Sequence, residues 1–275
     1  MKIFKIFSII FVCSFSSLAY EIALTRIFSI SLWYHFAFMI VSIAMLGIGA
    51  SGTVLSLFPE LKGPGRIHGY SLFLGVSISV SYLLSNQIPF DPIKLSWSGT
   101  QILHIGLYYI ILAPPFFFAG VVVSTAFSSF SERSGLLYDA DLLGAGVGSI
   151  RILALLFFTG PDRAVFIISS VVCFVSFAVR GKRLKVVGAI FLFANLLMLI
   201  FQPRFSAIRI SPFKDLEVAL RSPGAENLKT WGTPFARIDL LKSPAVRFAP
   251  GLNFHILIPF LNRSGSRLTL ARLMP

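Results

Sequence analysis

The chain has 275 residues, of which 56% are hydrophobic and only 13% are charged, and its mean hydropathy is +0.83. Soluble domains carry about 25% charged residues, so this composition excludes a soluble globular domain, a disordered chain, a collagen-like chain and a disulfide scaffold. The net charge of +13 comes without any nucleic-acid recognition motif. We therefore expect the partners to be a lipid bilayer, with anionic lipid near the basic loops, and no nucleic acid.

Seven stretches have the length and hydropathy of a membrane span, which needs roughly 20 apolar residues. The fourth carries Pro114 and Pro115 at its middle, and this pair should kink the helix or divide it in two. The sequence therefore predicts an all-α polytopic membrane protein with seven or eight transmembrane helices. The stretches are 3–20, 33–58, 68–85, 101–130, 137–160, 162–179 and 184–202.

The basic residues of the loops indicate an orientation. With the N-terminus inside, nine Lys and Arg residues fall in inner loops and three in outer loops, which favours a cytoplasmic N-terminus. Seven spans would then place the C-terminal tail outside, and eight would return it to the cytoplasm. The first span has an alternative interpretation as a signal peptide that is cleaved after Ala19, although the apolar pattern runs on past that point.

The amino-acid composition changes after Gln202, and this change predicts two domains. Residues 1–203 form the transmembrane helical bundle, and residues 204–275 form a short basic tail rich in Pro and Gly. Within the tail, 236–241 alternates in the manner of a strand. A tail of this length predicts hairpin-like strands and no separate hydrophobic core.

Inserting Arg, Lys or Asp at the bilayer centre costs about 2.5–3.5 kcal/mol. Charged or titratable side chains in membrane spans are therefore functional candidates. His35 lies beside Trp33 and Tyr34 at a membrane boundary, where an interfacial hydrogen-bonding role is the alternative to a ligand role. No metal ligands, nucleophile or phosphate loop are recognisable. The candidates for an intramembrane polar site are Glu21, Arg26, His35, Asp139, Asp141 and Arg151.

The fifth span places several of these residues on one face. At 100° per residue, Asp141, Gly144, Gly148 and Arg151 fall within a sector of roughly 80°. Gly144 and Gly148 form a Gly-x-x-x-Gly pair that lets another helix approach closely. Arg151 lies roughly 15 Å along the axis from Asp141, so it needs a partner from another helix, for which we expect Glu21. A structural ion pair and a substrate or proton pathway both remain open.

The second span carries a similar run of small residues, and we expect Gly47, Gly49 and Gly52 to pack helices. The 144–148 run superficially resembles a dinucleotide loop. That motif needs a preceding strand and an aqueous turn, whereas this run lies inside an apolar helix. We therefore predict no cofactor in this chain.

Several segments together resemble the membrane-embedded spermidine-synthase-like proteins of bacteria. Order and spacing match over roughly residues 15–253. The segments are 20–29 (YEIALTRIFS), 32–38 (LWYHFAF), 45–52 (MLGIGASG), 138–145 (YDADLLGA), 231–239 (WGTPFARID) and 243–251 (SPAVRFAPG).

The resemblance implies a polytopic domain in the bacterial inner membrane, joined to a C-terminal domain similar to polyamine aminopropyltransferases. That domain would have a Rossmann-like fold, a Gly-rich loop for an S-adenosyl donor and acidic residues that hold and deprotonate the amine. The 231–239 stretch looks like its opening strand. After about Asn253 the resemblance stops, and the cofactor loop and catalytic acids have no counterparts. We therefore expect no catalytic residues here and a truncated, inactive chain, through a frameshift or an early stop.

Three functions follow as hypotheses. The first is the membrane domain of a spermidine-synthase-like protein, acting with another copy of itself or with a separately encoded catalytic domain. The second is a transporter or permease for a small, polyamine-like molecule, with its site between the second and fifth spans. The third is a membrane assembly subunit without chemistry of its own.

Overall fold

The computed structural model describes residues 3–175, 182–203, 206, 208, 220, 221, 224–233, 237–242 and 268–273. Part of the sixth predicted span, the loop residue Arg180 and the 243–251 segment lie outside these described residues. The described chain is mostly helical. Its helices are α1 (Ile3–Ser31), α2 (Tyr34–Leu57), α3 (Ile67–Ser85), α4 (Gly99–Ser129), α5 (Ser134–Thr159), α6 (Pro161–Val175) and α7 (Lys182–Phe201), and its strands are β1 (Glu226–Gly232), β2 (Arg237–Lys242) and β3 (Leu268–Leu273).

Six of the described helices, all except α6, are long and apolar enough to cross a membrane. The prediction of a multi-pass helical membrane protein is confirmed at that level, while the count of seven or eight stays a prediction. The description of α6 covers 15 residues, fewer than the roughly 20 that a span needs.

Two helices differ from the predicted boundaries. α4 is one continuous helix with Pro114 and Pro115 inside it, so the pair does not divide it. Neighbouring helices pack along α4 next to the prolines, and such packing lets proline remain in a membrane helix. α1 runs on to Ser31, well beyond the predicted end at residue 20, because its apolar face continues through buried Leu24 and Phe28.

Ring and backbone contacts give the direction of the helices. α1 and α4 are antiparallel: Tyr20 contacts Phe116 with ring centroids 5.7 Å apart, and Phe28 contacts Tyr108 at 5.1 Å. α5 is parallel to α1, since Gly144 and Gly148 follow the backbone of Phe11 and Phe15 in the same order. α1 therefore forms contacts with both neighbours along much of its length.

The end of the bundle at which α1 finishes is called here the Ser31 end. Phe90, which follows α3, contacts Tyr108 there, so α3 also finishes at the Ser31 end. α6 runs antiparallel to α3, as Gly75 approaches Cys173 and Tyr82 contacts Phe166. α7 returns antiparallel to α6 and brings the chain back to the Ser31 end.

The tail begins against that same end. The Tyr82 hydroxyl, near the end of α3, donates a hydrogen bond of 2.8 Å to the Ser206 carbonyl oxygen. Further along, the three strands form one antiparallel sheet in the order β1-β2-β3. β1 and β2 pair from Glu226 with Lys242 to Gly232 with Arg237, and one irregularity falls between Asn227 and Lys229. β2 includes most of the strand expected at 236–241.

Candidate functional site: the seam between α1 and α5

The closest helix contact in the candidate site is made by two glycines of α5. A Cβ atom at Gly148 would lie 2.5 Å from the Phe15 carbonyl oxygen of α1, and one at Gly144 would overlap the Phe11 carbonyl oxygen. Small residues allow backbones to approach in this way in membrane helices. These four residues define what we call the α1–α5 seam. Gly146 lies on the opposite side, with no neighbouring atom within 4 Å of a Cβ atom placed there.

A polar contact lies one turn from the glycines. The Ser14 hydroxyl of α1 donates a hydrogen bond to the Asp141 carboxylate of α5. Asp141 is half-buried and Ser14 is buried. Sequence reasoning selected Asp141 but missed Ser14, whose only signal is a small hydroxyl on the face of α1 that meets α5. Asp139, two residues earlier in α5, is exposed on the other side of the helix.

Arg151 lies further along α5 on the edge of the seam. Its side chain is exposed on the surface of the bundle. Among the described residues, the Glu21 carboxylate forms no ion pair with it, so the expected pair between α1 and α5 is not formed. Glu21 is half-buried inside α1.

Arg26 connects the bundle to the tail. It is half-buried near the end of α1, and its Nη2 atom lies 3.5 Å from the Thr233 carbonyl oxygen, just after β1. His35 is exposed at the start of α2. The six candidate polar residues are therefore distributed along α1, α2 and α5, and they do not form one cluster.

The glycines of α2 divide into two groups. A Cβ atom at Gly47 would lie 2.8 Å from the Ala113 carbonyl oxygen, immediately before the two prolines of α4. Gly49 and Gly52 are exposed, with nothing within 4 Å of such an atom. Gly120 of α4, which sequence reasoning did not select, approaches α2 at Ser51. The two glycine runs therefore contact different helices, α4 for the α2 run and α1 for the α5 run.

A second buried polar cluster joins α3, α6 and α7. The Ser169 hydroxyl of α6 donates to the Gly75 carbonyl oxygen of α3 at 2.6 Å, and the Asn195 amide of α7 donates to Ser169 Oγ at 2.7 Å. Ser79 lies 3.4 Å from Ser169. All three side chains are buried. Sequence reasoning missed Asn195. The signal for it is a side-chain amide inside an otherwise apolar stretch.

The hairpin of the tail holds a buried carboxylate. Asp239 of β2 is 0% exposed. It accepts hydrogen bonds from the Thr230 hydroxyl at 2.5 Å and from the Asn227 amide at 3.2 Å. Buried charges in proteins are generally hydrogen-bonded in this way. The arrangement fixes the two strands against each other.

No protein-family profile, curated protein or solved structure matches the chain. In the described residues, no three His, Cys, Asp or Glu side chains are grouped as a metal site. The seam provides one hydrogen-bonded carboxylate and a close backbone contact, with the exposed guanidinium of Arg151 at its edge, an arrangement that suits helix association.

Proposed function

We propose that the chain is the membrane domain of a spermidine-synthase-like protein and that it positions the start of the soluble domain at the Ser31 end of the bundle. The contact between Arg26 and Thr233 supports this proposal. It joins two of the segments that carry the resemblance, 20–29 and 231–239, although Arg26 and Thr233 are 207 residues apart in the chain.

The proposed role of the bundle is attachment. Arg26 lies on the membrane-embedded helix α1, and its contact is to a backbone carbonyl, which any residue at position 233 would supply. Asp239 then holds β1 and β2 together within the hairpin. The family activity is aminopropyl transfer from an S-adenosyl donor to a polyamine. No Gly-rich strand-to-helix loop for that donor is present in the sequence, so we assign no catalytic step to these residues.

The test is to sequence the DNA beyond the Pro275 codon and to translate all forward frames. We expect a frame that encodes a Gly-rich strand-to-helix loop followed by an acidic residue. If no frame encodes such a loop, the proposal that this chain carries the start of a catalytic domain is contradicted, and the transporter or assembly-subunit function takes its place.

The contact itself is tested by limited proteolysis of the purified chain in detergent. Arg26→Gln should make the 226–242 segment cleavable at lower protease concentration, because the hairpin loses its contact with α1. Arg163→Gln is the control, since Arg163 is exposed outside the hairpin contact. Equal cleavage of the wild type and both variants would contradict the attachment role.

For location, we propose the bacterial inner membrane, with the N-terminus in the cytoplasm and α6 as a seventh span. The loops at the end of the bundle where α1 begins, opposite the Ser31 end, carry the excess of Lys and Arg, which supports this orientation. The alternation of helix directions supports seven spans, because it brings the end of α7 and the tail to the Ser31 end, opposite the N-terminus of α1. The tail would then lie outside the cytoplasm.

A transporter for small amines is the second candidate, favoured by the carboxylate of Asp141 within a membrane helix. The transporter function is tested by measuring uptake of labelled polyamine into cells that produce the chain. Cells carrying an empty vector are the control. A transporter requires uptake above the control, and Asp141→Asn should lower it at an unchanged protein level. Without such uptake the transporter function is excluded.

A further inference from the structure

A groove opens on the bundle surface beside the seam, between α1, α5 and α6. Its volume is about 570 Å³, within the range of about 300–1,000 Å³ for pockets that bind small molecules. The described residues that line it are apolar with one charged exception, Arg151. They include Phe15 and Ala19 of α1, Ala154 and Leu155 of α5, and Ile168 of α6.

The position of Arg151 makes an unpaired charge costly. α5 has 26 residues and is thus roughly 39 Å long, longer than the ~30 Å hydrocarbon core. If the helix is centred, Arg151 lies roughly 7 Å from the middle and therefore within the hydrocarbon layer. The nearer boundary, at the Ser31 end, is then roughly 8 Å further along the membrane normal, a distance that a long arginine side chain can largely cover by extending toward the interface.

No described residue supplies the missing anion. The guanidinium of Arg151 forms neither a hydrogen bond nor an ion pair within the described part of the chain, and the carboxylate of Asp141 is about 15 Å away along the helix. An anionic ligand in the groove would neutralise the guanidinium. The apolar walls of the groove indicate that this anion carries a hydrocarbon chain.

We propose that the groove binds one anionic phospholipid, with the phosphate on the guanidinium of Arg151 and an acyl chain along the apolar walls. Arginine suits this role because its planar fork forms two parallel hydrogen bonds with phosphate oxygens. The lipid neutralises a charge that the bundle leaves exposed to the hydrocarbon layer. It also fills the space between α5 and α6, so it is a structural ligand of the bundle.

The test is native mass spectrometry of the full chain in detergent, titrated with phosphatidylglycerol and, separately, with phosphatidylcholine of the same acyl chains. We expect one phosphatidylglycerol to bind the wild type about tenfold more tightly than phosphatidylcholine. Arg151→Gln should remove this preference, and Arg151→Lys should keep part of it because the charge remains. Arg163→Gln is the matched control: it removes an exposed cation outside the groove and should leave the preference unchanged.

A second variant tests the groove separately from the charge. Ala154 is exposed at the groove, so Ala154→Phe fills the space, keeps Arg151 and need not disturb the core. It should weaken phosphatidylglycerol binding by a similar factor. Because this variant leaves the charges unchanged, it decides the question even if Arg151→Gln fails to fold.

Four results would overturn the proposal, in addition to unchanged binding in Ala154→Phe. The first is phosphatidylglycerol binding to Arg151→Gln as tight as to the wild type, and the second is an equal loss in Arg163→Gln. The third is a gain of tenfold or more in Glu21→Gln, which would show that Glu21 and not a lipid neutralises Arg151. A wild-type chain that retains a second copy of itself and shows no preference between the lipids would indicate a protein partner instead.

Discussion

Asp139 and Asp141 are two residues apart on α5 but have different surroundings. Asp141 accepts a hydrogen bond from Ser14 across the seam, whereas Asp139 is exposed. A turn of 200° separates their directions on the helix. Of these two aspartates, only Asp141 contacts α1 through its side chain within the described part of the chain.

We expect Ser14→Ala to lower the free energy of unfolding by about 0.5–1.5 kcal/mol, the net contribution of a typical intramolecular hydrogen bond. Asp141→Ala should cost a similar amount, and the double variant should cost less than the sum because both changes remove the same bond. SDS titration of the chain in mixed micelles measures this. Asp139→Asn is the control, and a loss there as large as in Ser14→Ala would contradict the assignment.

Ser169 is the central member of the second polar cluster, because it both donates and accepts. Ser169→Ala removes its bond to the Gly75 carbonyl and leaves the buried Asn195 amide without its acceptor. We expect a loss of about 1–2 kcal/mol in the same titration. Ser170→Ala is the control, since Ser170 bonds only within α6. Equal losses in the two variants would show that the contact with α7 is unimportant.

At the scale of the element, glycine spacing on α5 separates a packed face from an open one. Gly144→Ala and Gly148→Ala would each place a methyl group against the α1 backbone, and overpacking of this kind costs about 1–3 kcal/mol. Gly146→Ala meets nothing and should be neutral or slightly stabilising, since alanine favours the helix. Thermal unfolding in detergent compares the three variants. A Gly146→Ala protein as unstable as Gly144→Ala would rule out the seam as the reason.

The same comparison applies to α2. Gly47→Ala would press on the α4 backbone beside Ala113, where Pro114 and Pro115 limit how the backbone can adjust. Gly49→Ala faces open space. We expect a lower melting temperature for the first variant and little change for the second. Similar melting temperatures would show that α2 can move away from α4 without cost.

At the scale of the whole molecule, the number of spans decides the side of the tail. Cysteines introduced at Ser131 and Glu226, with Cys13 and Cys173 replaced by alanine, report the α4–α5 connection and the tail. Both positions are exposed. A membrane-impermeant thiol reagent added to intact cells should label Glu226→Cys and not Ser131→Cys. Labelling of both only after the cells are opened would place the tail in the cytoplasm and require an even number of spans.

The sequence alone determined the class of the protein and the location of most helices. A membrane span is identified from the hydropathy of about 20 residues together, so one polar residue within the window has little effect on the prediction. Boundaries were less predictable. Glu21 and Arg26 indicate a helix end on a hydropathy scale, but α1 continues through them because Ala23, Leu24 and Ile27 remain buried against its neighbours.

Only the tertiary structure decided which residues meet. The helical period placed Asp141, Gly144, Gly148 and Arg151 on one face, but it could not name the helix opposite. That helix is α1, which provides Ser14 to Asp141 and leaves Arg151 at the edge of a groove. The period of a helix fixes directions around its own axis, whereas a contact also depends on the position and tilt of a second helix. That information lies in the packing of the whole bundle.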